Sequence, residues 1–168
     1  MENILDYQSE QHHEQTLQLL KGFQDHLAAV DTQNEILSFV SDIDADRYLT
    51  KMIDDTNEMN GKLLVLELDG QLIGFIQGII DPRNDQDDVM YQTTHNAQIE
   101  GWIGLVYVDP EFRGRQLGMK LIETIKKHFV ANGCTTLRLL VAHDNANTVG
   151  FYRKFGFIER DIEMALPL

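Results

Sequence analysis

Residues 108–121 read VDPEFRGRQLGMKL, and the interpretation of that stretch decides the fold. Val108 ends a strand-like run, Asp109-Pro110 makes a turn, and Arg113 and Arg115 flank Gly114. Beyond Gly118 the apolar residues Leu117, Leu121, Ile122, Ile125 and Phe129 fall on one stripe. The spacing predicts a helix over 114–131, stopped by Asn132-Gly133 and packed on a sheet. A helix that starts at a strand end offers unpaired N–H groups and the positive end of its dipole, which together make an anion site. Gly114 and Gly118 let a ligand approach the backbone with no Cβ in the way. Arg113 and Arg115 add charge suited to phosphate. A tight strand-to-helix connection with exposed arginines would use the same residues, so the turn alone leaves both readings open. No Lys-Ser or Lys-Thr follows the glycine, which argues against a P-loop. Nor is this the first βα unit with an acid downstream, as a Rossmann fingerprint requires.

Working outward, residues 3–8 suggest a first strand and residues 9–30 a helix that Ser9 can cap. A second helix is predicted over 42–59, with Tyr48, Met52 and Met59 on one face. Residues 62–80 hold two β-rich runs around Asp69-Gly70, a strong hairpin signal. The acidic connector 81–96 is long for a hairpin loop, which suggests a functional or mobile segment. A strand is expected over 97–108, another over 135–142, a short helix over 145–155 and a final strand over 156–168. No repeat or linker interrupts the chain, so residues 1–168 read as a single domain of the α/β or α+β class, helices packing on a mixed sheet.

The chain has 168 residues, enough for one compact domain with a core of its own. Its net charge is −13, unevenly distributed. Residues 113–160 carry nine bases against three acids, whereas the first 112 residues carry five bases against 22 acids. A high negative charge can serve solubility alone. The asymmetry also suits a basic part that holds an anion and an acidic part that attracts a cation. A nucleic-acid partner is disfavoured, because phosphate backbones would repel this chain. No apolar run is long enough to span a membrane, the polar N-terminus does not read as a secretion signal, and the lone Cys134 suits a reducing cytoplasm. Six histidines, at positions 12, 13, 26, 95, 128 and 143, show no metal-ligand spacing, so no metal is expected. Cys134 reads as a small core residue.

The stretch VYVDPEFRGRQLG, residues 106–118, resembles the acetyl-CoA signature of the GNAT superfamily of N-acyltransferases, Arg/Gln-x-x-Gly-x-Gly/Ala. Arg113 matches its first position and Gly118 its last. Gln116 stands where a glycine is usual; its N–H is retained, so phosphate binding can survive if φ is negative there. Downstream, NANTVGFYRKFGF, residues 145–157, resembles the family's Asn-x-x-Ala-x-x-Phe-Tyr-x-x-x-Gly-Phe. Asn145, Phe151, Tyr152, Gly156 and Phe157 match, and Thr148 replaces the usual alanine. The resemblance covers residues 62–166 well and implies a mixed, mostly antiparallel sheet of about six to seven strands flanked by about four helices.

The resemblance also implies roles. The phosphates of acetyl-CoA, a co-substrate, would lie on Arg113, Gly114, Arg115, Gln116, Leu117, Gly118 and Met119, with Asn145 capping the last helix and touching the cofactor. Val106, Tyr107 and Val108 would bind the pantetheine arm through backbone groups, as an added strand would, and one N–H there would polarise the thioester carbonyl. Tyr152 is the choice for donating a proton or a hydrogen bond to the leaving thiolate, since an ordinary tyrosine near pKa ~10 stays protonated at neutral pH. By period-two alternation Glu100 shares a strand face with Trp102, Val106 and Val108 and is a candidate general base acting through water. A solvated strand-end acid is the competing reading, with bulk water as base. His26 and His95 are weaker candidates. Gly150 within a helix suggests a close neighbour. The function so implied is direct acetyl transfer in a ternary complex to a primary amine of a cationic small molecule or peptide, with a homodimer left open. The rival is an acyl-CoA sensor or regulatory module without chemistry.

Overall fold

The computed structural model describes residues 1–32, 36–80 and 99–160. Among them five strands form one sheet in the order β1 (Glu2–Asp6), β2 (Lys62–Leu68), β3 (Gln71–Ile80), β4 (Glu100–Val108) and β5 (Thr136–Leu139). The first four run antiparallel, and β5 joins β4 in parallel. Four α-helices accompany them: α1 (Ser9–Val30), α2 (Asp42–Glu58), α3 (Leu117–Ala131) and α4 (Ala146–Phe155). The class is the mixed, mostly antiparallel sheet with four helices that the sequence implied, with five described strands in place of six to seven.

Two apolar clusters show the layering. On one face Leu19 and Leu20 of α1 and Leu49 and Met52 of α2 pack with Val65, Phe75, Leu105 and Tyr107. On the other, Leu117, Leu121, Ile122, Ile125 and Phe129 of α3 and Tyr152 of α4 pack with Leu66, Ile76 and Ile103. The five apolar positions of the α3 stripe are all buried, which is the driving force for seating that helix; each such side chain is worth about 1.5–3 kcal/mol. The β2–β3 turn has positive φ at both Asp69 and Gly70, as a two-residue hairpin turn of the right twist requires.

Several boundaries differ from expectation for local reasons. Helix α3 begins at Leu117 rather than 114, because Gly114 and Gln116 both take left-handed φ and cannot continue a helix. The N-cap of α1 is Gln8, not Ser9, and His12 Nδ1 accepts the Gln8 N–H at 2.9 Å. The buried face of α2 is Ala45, Leu49, Met52 and Thr56; Tyr48 is 45% exposed and leans on Phe39. Strand β5 is shorter than 135–142, and residues 156–160 are not a strand. The acidic connector and the end of the expected last strand lie outside the described residues.

Strand β4 carries a bulge that positions the site. Gln77 pairs with Leu105 while the adjacent Gly78 pairs with Ile103, so Gly104 is an extra residue. The bulge reverses side-chain alternation. Ile103, Val106 and Val108 face α3, whereas Leu105 and Tyr107 face α1 and α2. Glu100 therefore does not share a face with Val106 and Val108, because one inserted residue shifts the parity between them.

Candidate active site

Strand β4 pairs with β5 only from Glu100 to Ile103. From Gly104 to Val108 its far edge has no strand partner among the described residues. The Asp109 N–H donates to the Ile73 carbonyl at 2.9 Å, which sets the phase of the antiparallel ladder. By that phase the N–H and C=O of Tyr107 turn toward β3, and those of Val106 and Val108 turn outward. The outward carbonyl of Val108 accepts Arg113 Nε at 2.9 Å.

After β4 the chain makes a single 3-10 turn, Pro110–Phe112, capped by Asp109, whose Oδ1 accepts the Glu111 N–H at 2.9 Å. Gly114 then takes φ 81° and Gln116 φ 62°. Gln116 is the N-cap of α3 but its side chain makes no capping bond. The first helical bond runs from Lys120 N–H to the Gln116 carbonyl at 3.2 Å. From Gly114 to Met119 no backbone N–H finds an acceptor among the described residues. Six consecutive donors without an acceptor, at the positive end of a 15-residue helix, form an anion-binding nest. The condition of a negative φ at Gln116 is not met: the turn keeps a glycine-like backbone although the glycine is absent, and the N–H stays among the six donors.

The two arginines do not lie over this nest in the same way. Arg113 folds back, its guanidinium 5.5 Å from the centre of the Tyr107 ring. It lies near enough to His26 that burial and this positive charge together lower the histidine's pKa. Burial raises the Tyr107 pKa, with Arg113 opposing. Arg115 is exposed and lies 5.4 Å over the Phe112 ring. Gly118 packs against α4: a Cβ there would meet Phe151 Cζ at 3.3 Å. Leu117 is buried beneath the nest and Met119 is exposed beside it.

Asn145 is buried and caps α4, its Oδ1 accepting the Thr148 N–H at 3.3 Å. A Cβ at Gly150 would meet nothing within 4 Å, so no described neighbour explains that glycine. Tyr152 is 7% exposed, packed between Phe151 and Phe157 in the same cluster as Leu117, Val106 and Val108. Burial pushes its hydroxyl up to about 12. Glu100 is 5% exposed and is not the solvated strand-end acid of the competing reading. Its Oε2 accepts Arg138 Nη1 at 3.1 Å, and Arg138 in turn lies 5.9 Å over the Trp102 ring. The pair ties β4 to β5 where the two strands are still in register. Cys134 packs against the α3 core, and burial raises its thiol pKa. No group of metal-ligating side chains occurs among the described residues, and no described helix is long and apolar enough to cross a membrane. His95 and the connector acids lie outside the described residues.

Sequence reasoning missed a polar chain behind the bulge, Gln77 to Thr56 to the Met52 carbonyl. The available signal was a glutamine inside the otherwise apolar run LIGFIQGII, residues 72–80. It also missed the hydrogen bond from Thr32 Oγ1 to Asp144 Oδ2, which joins the end of α1 to the loop before α4.

A model of the acetyltransferase (GNAT) family matches residues 21–157. Solved structures share the fold over essentially the whole chain. A mutant of the BH1408 protein from Bacillus halodurans superposes with a TM-score of 0.81 at 17% identity, covering 99% of each chain. An aminoglycoside N-acetyltransferase, AAC(6')-Iy, in complex with CoA, gives 0.72 at 16% identity, covering 100% of this chain and 95% of that one. Glucosamine-6-phosphate N-acetyltransferase from Arabidopsis thaliana gives 0.65 at 22% identity, covering 99% and 98%.

Proposed function

The chain belongs to the GNAT acetyltransferase family, and on that premise we propose that it transfers acetyl from acetyl-CoA to a primary amine on a cationic small molecule or peptide, with both substrates bound together. The observation that carries this reading is the run of six N–H groups from Gly114 to Met119 with no acceptor among the described residues, beside a strand edge with no strand partner among them. The nest suits a diphosphate, and the outward groups of Val106 and Val108 suit an extended amide-bearing arm. Open space beside Gly150 and the buried, capping Asn145 are compatible with a ligand lying between α3 and α4.

In the reaction the amine nitrogen forms a bond to the acetyl carbon, the C–S bond breaks, the nitrogen loses a proton and the thiol gains one. A tyrosine at about 12 cannot readily give its proton to a thiolate near pKa ~8.5: the transfer is uphill by more than 3 units, about 5 kcal/mol. Tyr152 therefore acts by donating a hydrogen bond to the departing sulfur, and the proton comes from solvent. Glu100, buried against Arg138, anchors β5, and water accepts the amine proton. A cationic acceptor is favoured by the acid excess of the first 112 residues, which places Asp42, Asp44, Asp46, Asp54, Asp55 and Glu58 on α2 alone.

The relatives of this fold that act on glucosamine 6-phosphate and aminoglycosides supply the first acceptors to try. Thiol release from acetyl-CoA should be measured with neamine, glucosamine 6-phosphate, spermidine and an alanine-terminated peptide. Turnover with at least one amine is expected. Tight CoA binding with no turnover on any would favour the sensor instead.

A further inference from the structure

Gln77 sits in the middle of β3 and is 4% exposed. A buried amide is costly unless its polar atoms are used. Its Nε2 donates to Thr56 Oγ1 at 3.0 Å, and Thr56 Oγ1 donates to the Met52 carbonyl at 2.6 Å. A hydroxyl has one proton, so Thr56 has only a lone pair left for Gln77. That fixes which way round the amide lies, with nitrogen toward α2 and oxygen toward β4. The oxygen lies directly over Gly104, where any Cβ would overlap it. Gly104 is the bulge residue and is exposed although it lies mid-strand. Among the described residues no donor reaches Gln77 Oε1.

An acceptor oxygen aimed by Thr56 thus lies over the exposed bulge residue Gly104, on the α1/α2 side and next to the edge of β4 that has no strand partner among the described residues. We propose that Gln77 Oε1 receives an N–H of the acceptor amine and holds its nitrogen at Gly104 for attack. This rests on the acetyl-transfer reading above. The chemistry fits an amine in two respects. An acceptor-only atom at this point selects a donor and rejects carboxylates and phosphates. Being neutral, it stabilises the ammonium form less than a carboxylate would, so the nitrogen is freer to lose its proton and become nucleophilic. Gln77 is on this account a specificity and positioning residue, with Thr56 fixing its aim.

The test uses the full chain with whichever amine of the panel is turned over. Gln77→Leu should lower kcat/KM for the amine about tenfold or more, while calorimetry shows CoA affinity within about twofold of the parent. Thr56→Val should give a smaller loss, because the oxygen remains but its aim is released. Gln77→Glu should restore binding of the amine and move the pH profile to higher pH, since a carboxylate holds the ammonium form. A folded Gln77→Leu with unchanged kcat/KM for the amine overturns the proposal. If that variant does not fold, an unchanged kcat/KM and pH profile in both Thr56→Val and Gln77→Glu overturns it equally. If CoA binds but no amine reacts, the acetyl-transfer reading fails by itself. Gln77 is then judged by a crystal grown with CoA and soaked in n-butylamine. The amine nitrogen within hydrogen-bond reach of Oε1 supports the assignment, and a reversed amide or a protein donor on Oε1 refutes it.

Discussion

Replacing Gln116 with glycine should stabilise this protein, an unusual outcome for a change at the turn proposed to bind the cofactor. Gln116 sits at φ 62° and ψ 17°, in the left-handed region, where a Cβ crowds the following carbonyl at a cost of about 1–2 kcal/mol. Its side chain makes no capping bond and is exposed, so truncation forfeits no described interaction. Glycine removes the crowding but gives the unfolded chain more freedom, about 0.5–1 kcal/mol against the fold. The net gain is about 0.5–1 kcal/mol, which for a chain of 168 residues is a rise in Tm of about 2 °C. Thermal melts followed by circular dichroism would read it, with Gln116→Ala as the control. Alanine keeps the Cβ and should give no gain. Because the backbone N–H survives both changes, CoA affinity should stay within about twofold. A Tm that is unchanged or lower in Gln116→Gly, or equally raised in Gln116→Ala, would refute the left-handed turn and with it the geometry of the nest.

Three other outcomes are expected. Tyr152→Phe should lower kcat about 100-fold by removing the proposed donor to the leaving sulfur, with calorimetric CoA affinity preserved; an unchanged kcat would make the tyrosine a packing residue only. The Tyr152 hydroxyl is raised in the fold to about 12 from 10, so its share of stability is complete below pH 10 and lost as pH climbs through 12. Urea melts should show about 2–3 kcal/mol disappearing across that window, and Tyr152→Phe should abolish this part of the loss. Arg138→Leu should destabilise by about 3 kcal/mol, because the Glu100 carboxylate is left buried without its partner. Adding Glu100→Gln should recover part of that, and Glu100→Gln alone should leave the kcat/KM pH profile in place. A profile that loses its acidic limb in Glu100→Gln would restore Glu100 as the base.

Much of the architecture was legible because its signals are local. The five-residue stripe of α3, the Asp69-Gly70 turn and Asn145 ahead of a short helix each carry their instruction within a few residues, and the fold follows each. The face of Glu100 was not legible. Alternation predicts it only while pairing stays in register, and register depends on how β3 lies against β4. Gly104 gives no local sign of being the bulge residue, since glycine in a strand has several causes. The backbone of Gln116 was not legible for a related reason: glutamine prefers negative φ, and tertiary packing of Leu117 and Gly118 against the sheet and α4 holds it elsewhere.

The sequence by itself determined that a helix follows a strand through a turn holding two arginines, and that a capped, aromatic-rich helix follows one strand later. Those facts sufficed for the family. Only the tertiary structure decided which groups point into the site. One extra residue in β4 sends Val106 and Val108 to one face and Leu105 and Tyr107 to the other. A hydroxyl on α2, already committed to its own helix, turns the Gln77 oxygen toward Gly104. Both depend on partners far apart in the chain, and no local pattern of apolar residues encodes them.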